Sequence, residues 1–153
     1  MKKTTILLFA ILISVVGFAQ DIATARAQGI GTVTVTGIVT NGDELGPIRY
    51  IEDSTAGLAL YDPAVLSGVQ RGDEVTVTGI LVDYNGLLEM TPVNAISTNS
   101  STNVVTPKIV TPVQIGENTE GDLVQIDNVI FNNGGSFFTI GTHDFAANGE
   151  NGK

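Results

Sequence analysis

Three stretches, VTVTGIVT (Val33–Thr40), RYIEDSTAGLALYD (Arg49–Asp62) and RGDEVTVTGILVDYNGLLEMTP (Arg71–Pro92), decide how this chain folds. In the first, Val33 and Val35 alternate with Thr34 and Thr36, the period of a half-buried strand. Gly37 interrupts that strand, where a glycine costs stability unless the strand bends or another backbone comes close. In the second, Ile48–Glu52 reads as a strand, Asp53-Ser54-Thr55-Ala56-Gly57 as a turn whose Asp bonds the following backbone, and Leu58–Tyr61 as the next strand. In the third, Gly72-Asp73 turns into Glu74–Val82, and Asn85-Gly86 is a hairpin signal before Leu87–Thr91. Between the third and fourth strands, Pro63–Val69 has a Pro suited to a helix's first turn and a Gly near its end, and reads as a short helical plug. The order is strand, strand, strand, short helix, strand, strand, which predicts an all-β, five-stranded closed barrel.

Outward from that block, Asp21–Gln28 predicts a lead-in helix capped by Asp21 and ended by Gly29. Further upstream, Lys2 and Lys3 precede an apolar run, Ile6–Phe18, and Gly17-Phe18-Ala19 places small residues where a signal peptidase reads. The run is short for a membrane span. We therefore expect a signal peptide over residues 1–19, cleaved after Ala19, and an exported product in the periplasm, at the cell surface or outside the cell, with no membrane span in the mature chain. An uncleaved anchor is the competing reading.

Downstream, STNSST (Ser97–Thr102) with Pro107 and Pro112 predicts a polar linker over residues 97–112. It follows a barrel domain over residues 29–96. Leu123–Phe131 then reads as a strand, Asn132–Gly135 as a turn and Ser136–Ile140 as the strand's partner. Gly121–Ile130 (GDLVQIDNVI) echoes Gly72–Leu81 (GDEVTVTGIL), and VTVTGI recurs at Val33 and Val75, but the uneven spacing argues against a propeller. Residues 113–153 hold too few strands to close a barrel, so they predict an incomplete second unit.

The block Val33–Pro92 resembles the OB-fold, specifically the anticodon-binding-like modules of exported bacterial nucleases and related multidomain surface proteins. The resemblance rests on VTVTGIV (Val33–Val39), YIEDSTAGLALY (Tyr50–Tyr61) and RGDEVTVTGILVDYNGLLEMTP. It implies an OB-type Greek-key barrel. It also implies that the segment from Glu120 opens a second such module, and that the partner is a neighbouring catalytic or surface domain of the same polypeptide.

No catalytic constellation is legible. The chain has no Cys and one His, His143, so no multi-histidine zinc site can form within it. No nucleophile elbow occurs. Gly29-Ile30-Gly31 lacks the third glycine and the following helix of a dinucleotide loop. The adjacent acids Asp43/Glu44, Glu52/Asp53 and Asp73/Glu74 would point to opposite faces of a strand. Asp144 with Asn148–Gly152 lacks the spacing of a calcium loop. We expect no enzyme, no metal and no cofactor.

The alternative to a non-catalytic accessory module is a binding module for single-stranded nucleic acid or an oligosaccharide. OB barrels bind such ligands across strands 2 and 3. The candidates are Arg49 and Tyr50 on the second strand, Tyr61 on the third, and Tyr84 and Asn85 on the last hairpin. Tyrosines stack bases, and Arg49 pairs with phosphate or, sharing parity with Ile51, tucks into the barrel's end. Charge argues against tight polyanion binding. Residues 29–96 carry two cations, Arg49 and Arg71, among nine acids, and polyanion affinity rests on cations that displace counterions.

Overall fold

The computed structural model describes residues 19–132 and 142–152. The predicted barrel is present and closed. Its strands are β1 (Gly31–Val39), β2 (Ile48–Glu52), β3 (Gly57–Tyr61), β4 (Glu74–Tyr84) and β5 (Leu87–Ser100), in the order β1-β2-β3-β5-β4 with β4 returning to β1. This is the Greek-key order of an OB-type barrel. β1 is shared by both halves: it pairs with β4 from Gly31 to Ile38, then passes to β2 through Ile38–Glu52 and Val39–Ile51. Gly37 sits at that crossing, where a Cβ would meet the Glu52 carbonyl oxygen at 2.9 Å. The parallel pairing of β3 with β5 closes the cylinder.

Alternation does the rest. Val35, Val39, Ile51, Leu58, Leu60, Val75, Val77, Leu81 and Met90 point inward and are fully buried. The threonines between them face out, and Thr34–Thr78 and Thr36–Thr76 pair hydroxyl to hydroxyl at 2.8 Å. The β4–β5 hairpin turns on Asn85 and Gly86, both at positive φ (55° and 94°), as its two-residue loop requires. Asp53 builds the β2–β3 turn, its Oδ1 accepting from the Thr55 and Ala56 amides at 2.7 and 3.1 Å.

The lead-in helix forms as α1 (Ile22–Gln28), with the Thr24 amide donating to Asp21 Oδ1 at 2.7 Å and Gly29 at its end. It belongs to the barrel rather than preceding it. Ile22 and Ala25 are fully buried in the core, and the Ile22 amide donates to Asp53 Oδ2 at 2.7 Å.

Three expectations change. Pro63–Val69 is a run of turns, not a helix. One α-turn closes from the Leu66 amide to the Asp62 carbonyl (2.9 Å), and the chain then drops Leu66 and Val69 into the barrel's end. Seven residues that include Ser67-Gly68 cannot repay helix nucleation, so burial of the Leu66 and Val69 side chains sets the shape. The plug survives without the helix. Second, residues 97–100 of the expected linker continue β5, with Thr98 opposite Val75 and Ser100 opposite Glu74. β4 offers a free ladder there, and small polar side chains suit a solvated face. Third, Leu123–Phe131 is not one strand. Asn128 takes a positive φ of 56° and splits it into β7 (Val124–Gln125), parallel to β6 (Lys108–Ile109), and β8 (Val129–Phe131). β8 pairs with β9 (Phe145–Ala147), which turns through Asn148-Gly149 into β10 (Glu150–Gly152). The Asn148–Gly152 stretch is thus a hairpin. Among the described residues these short strands form no second barrel. The expected partner Ser136–Ile140 and residues 1–18 of the leader lie outside the described residues.

Candidate functional site

Strand parity sorts the β2 candidates. Arg49 and Ile51 point inward; Ile48, Tyr50 and Glu52 point outward. Arg49 is therefore buried, at 2% exposure. Its Nε donates to the Val69 carbonyl at 2.9 Å, and its Nη1 to the Gly46 and Ile48 carbonyls at 2.9 and 3.0 Å. Nη2 pairs with the exposed Asp43. The guanidinium spends its donors tying the β1–β2 loop and the plug to one end of the barrel. It does not project onto the outer face of strands 2 and 3.

The outer face carries a row across three strands: Tyr50 opposite Ala59, and Ala59 beside Glu89. Tyr61 lies on the same face and is exposed at one end. Tyr84, 62% exposed and opposite Leu87, and Asn85 sit on the tip of the β4–β5 hairpin. Tyr50 and Tyr61 are thus diagonal neighbours across β2 and β3, while Tyr84 stands on a separate hairpin.

The Glu52–Gly57 end of that face is already covered. Residues 120–123 of the same chain lie on it as a strap. The contact is backbone on backbone: a Cβ on Gly57 would meet the Gly121 carbonyl at 2.3 Å, and one on Gly121 would meet the Gly57 carbonyl carbon at 2.9 Å. Gly121 also has a positive φ of 80°, so two glycines are needed where the strap crosses β3. The Leu123 amide donates to Glu52 Oε1, and the Leu88 amide donates to Glu120 Oε1 at 3.2 Å. Arg26 of α1 joins three elements, pairing with Glu120 at 2.7 Å and donating to the Gly57 and Glu117 carbonyls at 3.2 and 3.3 Å. Lys108 pairs with Asp122 Oδ2 at 2.7 Å, while Asp122 Oδ1 is buried with no partner.

The electrostatics follow from that burial. Desolvation raises the Glu52 carboxyl above the usual range; the Leu123 amide opposes this, Asp122 adds to it and Lys108 opposes it. Burial alone raises Glu89. Burial, then Glu89 and Glu120, raise the Tyr50 phenol.

Beside the strap is a cleft of about 360 Å³, lined by Asn41, Glu44, Tyr50, Arg71 and Asp122 among others. Asn41 is committed to β2, accepting from the Tyr50 amide at 2.7 Å, and Arg71 donates to the Thr40 carbonyl at 2.6 Å. Glu44 accepts from the Gly42 amide, which lowers its carboxyl below the usual range. The cleft offers hydrogen bonds and one aromatic ring. Among the described residues, no group of three or more His, Cys, Asp or Glu is placed to hold a metal.

Sequence reasoning missed Arg26, Glu52, Gly57, Glu89, Glu120, Gly121 and Asp122. The one available signal was the likeness of Glu120-Gly121-Asp122 to the Gly72-Asp73 turn, which marks a turn and not what the turn lies against.

No protein-family model matches the chain, and no curated protein does. Among solved structures, the chain is similar to the hypothetical protein ygiW from E. coli, with a TM-score of 0.45 and 17% sequence identity, covering 54% of this chain and 90% of that one.

Proposed function

We propose that this chain is a non-catalytic OB-type accessory module of an exported multidomain protein, nuclease-associated, whose strand 2–3 face seats the unit that follows the barrel. One observation carries the reading: Glu120–Leu123 occupies the face on which an OB barrel takes a ligand, through the Gly57–Gly121 contact and the Arg26–Glu120 pair. The Lys2-Lys3 and Ile6–Phe18 leader pattern supports export, and the Val33–Pro92 resemblance supports association with a nuclease. The acidic surface supports a scaffold over a polyanion binder.

The test is retention of the chain from Gln20 onward on immobilised single-stranded DNA, single-stranded RNA and neutral oligosaccharides. We expect none. Tight retention that Tyr50→Ala or Tyr61→Ala abolishes, with the thermal midpoint unchanged, would overturn the accessory role. It would install the second reading, a single-strand or oligosaccharide binding module. The cleft beside the strap favours that second reading, because it brings Tyr50 and Arg71 together.

A further inference from the structure

The strap closes onto the barrel at an electrostatic cost. Asp122 is 2% exposed in its side chain, has one oxygen paired with Lys108 and leaves the other buried without a donor. Glu52 lies beside it with an oxygen committed to the Leu123 amide. Glu89, on the same face near Tyr50, is 6% exposed. Two carboxylates, Asp122 and Glu89, are thus shut in beside the half-buried Glu52, and Lys108 is the cation that faces Glu52. An unpaired buried acceptor is costly, and so are like charges out of water.

We propose that Glu120–Leu123 is a reversible cover over the strand 2–3 face, tightened by mild acid and loosened towards neutral pH, with Glu52 as the group that takes the proton. This rests on the reading of the strap as the seat of the following unit. On closing, a proton from solvent settles on one Glu52 oxygen while the other still accepts from the Leu123 amide. The repulsion from Asp122 is then removed and the Lys108–Asp122 pair remains.

The groups facing Glu52 are Asp122 from the strap and Lys108 from β6, with Asp53 of the β2–β3 turn and Glu74 of β4 lining the same groove. At the far end of the cover stand Tyr50, Glu89 and the Arg26–Glu120 pair. The sign is fixed by Glu52. Its carboxyl is raised when the strap is shut, so the closed form holds more protons than the open one and gains as pH falls.

The experiment is amide hydrogen exchange of the chain from Gln20 onward at about pH 5 and about pH 7.5, corrected for intrinsic rates. Peptides covering residues 117–125 are expected to be protected severalfold more at the lower pH, with β1 and β4 amides unchanged. Glu52→Gln keeps the acceptor for Leu123 and removes the titrating group. Its strap should be equally protected at both values. Lys108→Met, which removes the opposing cation, should move the tightening to higher pH. A protected strap indifferent to pH, or an E52Q strap that keeps the dependence, overturns the acid-tightened cover and leaves the seat standing. A strap unprotected at both values overturns the seat as well.

Discussion

Gly72–Leu81 and Gly121–Ile130 begin alike, GDEV and GDLV, and end as different structures. Both glycines take a positive φ, 87° and 80°, and both meet backbone closely, Gly72 against Asn103 and Gly121 against Gly57. After Asp73 the chain runs straight into the eleven-residue β4, with β1 on one side and β5 on the other. After Asp122 it yields the two residues of β7, then breaks at Asn128. The acids differ as well. Asp73 accepts from the Gln70 amide at 2.9 Å and from Ser101, whereas Asp122 keeps one buried oxygen unpaired. A turn motif specifies how the chain reverses. What it becomes next depends on whether a ladder waits on each side and whether the following residues alternate.

The largest expected difference lies between the two regions' apolar residues. Leu60→Ala in the barrel should cost about 2–5 kcal/mol, as buried truncations do. Ile130→Ala, at a residue 71% exposed, should stay within about 0.5 kcal/mol. Urea unfolding of both variants measures this, and equal losses would mean the C-terminal strands are as well packed as the barrel. Next comes Arg49→Met, which leaves the Gly46 and Val69 carbonyls without their donor, while the Ile48 carbonyl keeps Asn41 Nδ2. It should lower stability by about 2 kcal/mol in the same assay and leave any ligand retention untouched. An unchanged midpoint would return Arg49 to the list of surface groups.

The two glycines come third. Gly72→Ala and Gly121→Ala each force a side chain into positive φ, at about 1–2 kcal/mol, and press its Cβ against backbone atoms at 2.9 Å. The first should lower the global midpoint. The second should leave it in place and speed amide exchange over residues 117–125. If Gly121→Ala lowers the global midpoint equally, strap and barrel unfold as one unit.

The smallest effect is a change of slope. Hydrogen bonds from Ser101 and Gln70 hold Asp73 below the usual carboxylate range, so its contribution is present above the unfolded value and is lost as pH falls through the folded one. Asp73→Asn should flatten the acid limb of stability against pH, the direction opposite to the Glu52 effect on the strap. A limb as steep as before would show that the acid loss originates elsewhere.

Much of the barrel was legible because it is local. Val33/Val35 against Thr34/Thr36, Asn85-Gly86, the Asp53 turn and the Asp21 cap each signal through neighbouring residues, and each stands where its pattern put it. The misreadings share a cause. Pro63–Val69 looks helical until Leu66 and Val69 find the barrel's end, and residues 97–100 look like a linker until β4 offers its ladder. The candidate site was legible only in part. Placing Arg49 required knowing which face of β2 is the inside, and parity with Ile51 already pointed there.

Alone, then, the amino-acid sequence determined the strand order, the turns, the capped helix and the acidic surface, because these rest on periodicity, backbone preference and composition. Only the tertiary structure decided that Arg49 is a structural tie, that Tyr61 and Tyr84 stand apart, and that Gly121 lies on Gly57. Those are contacts between residues far apart along the chain, and no local pattern records which distant backbone will come to rest against a given glycine.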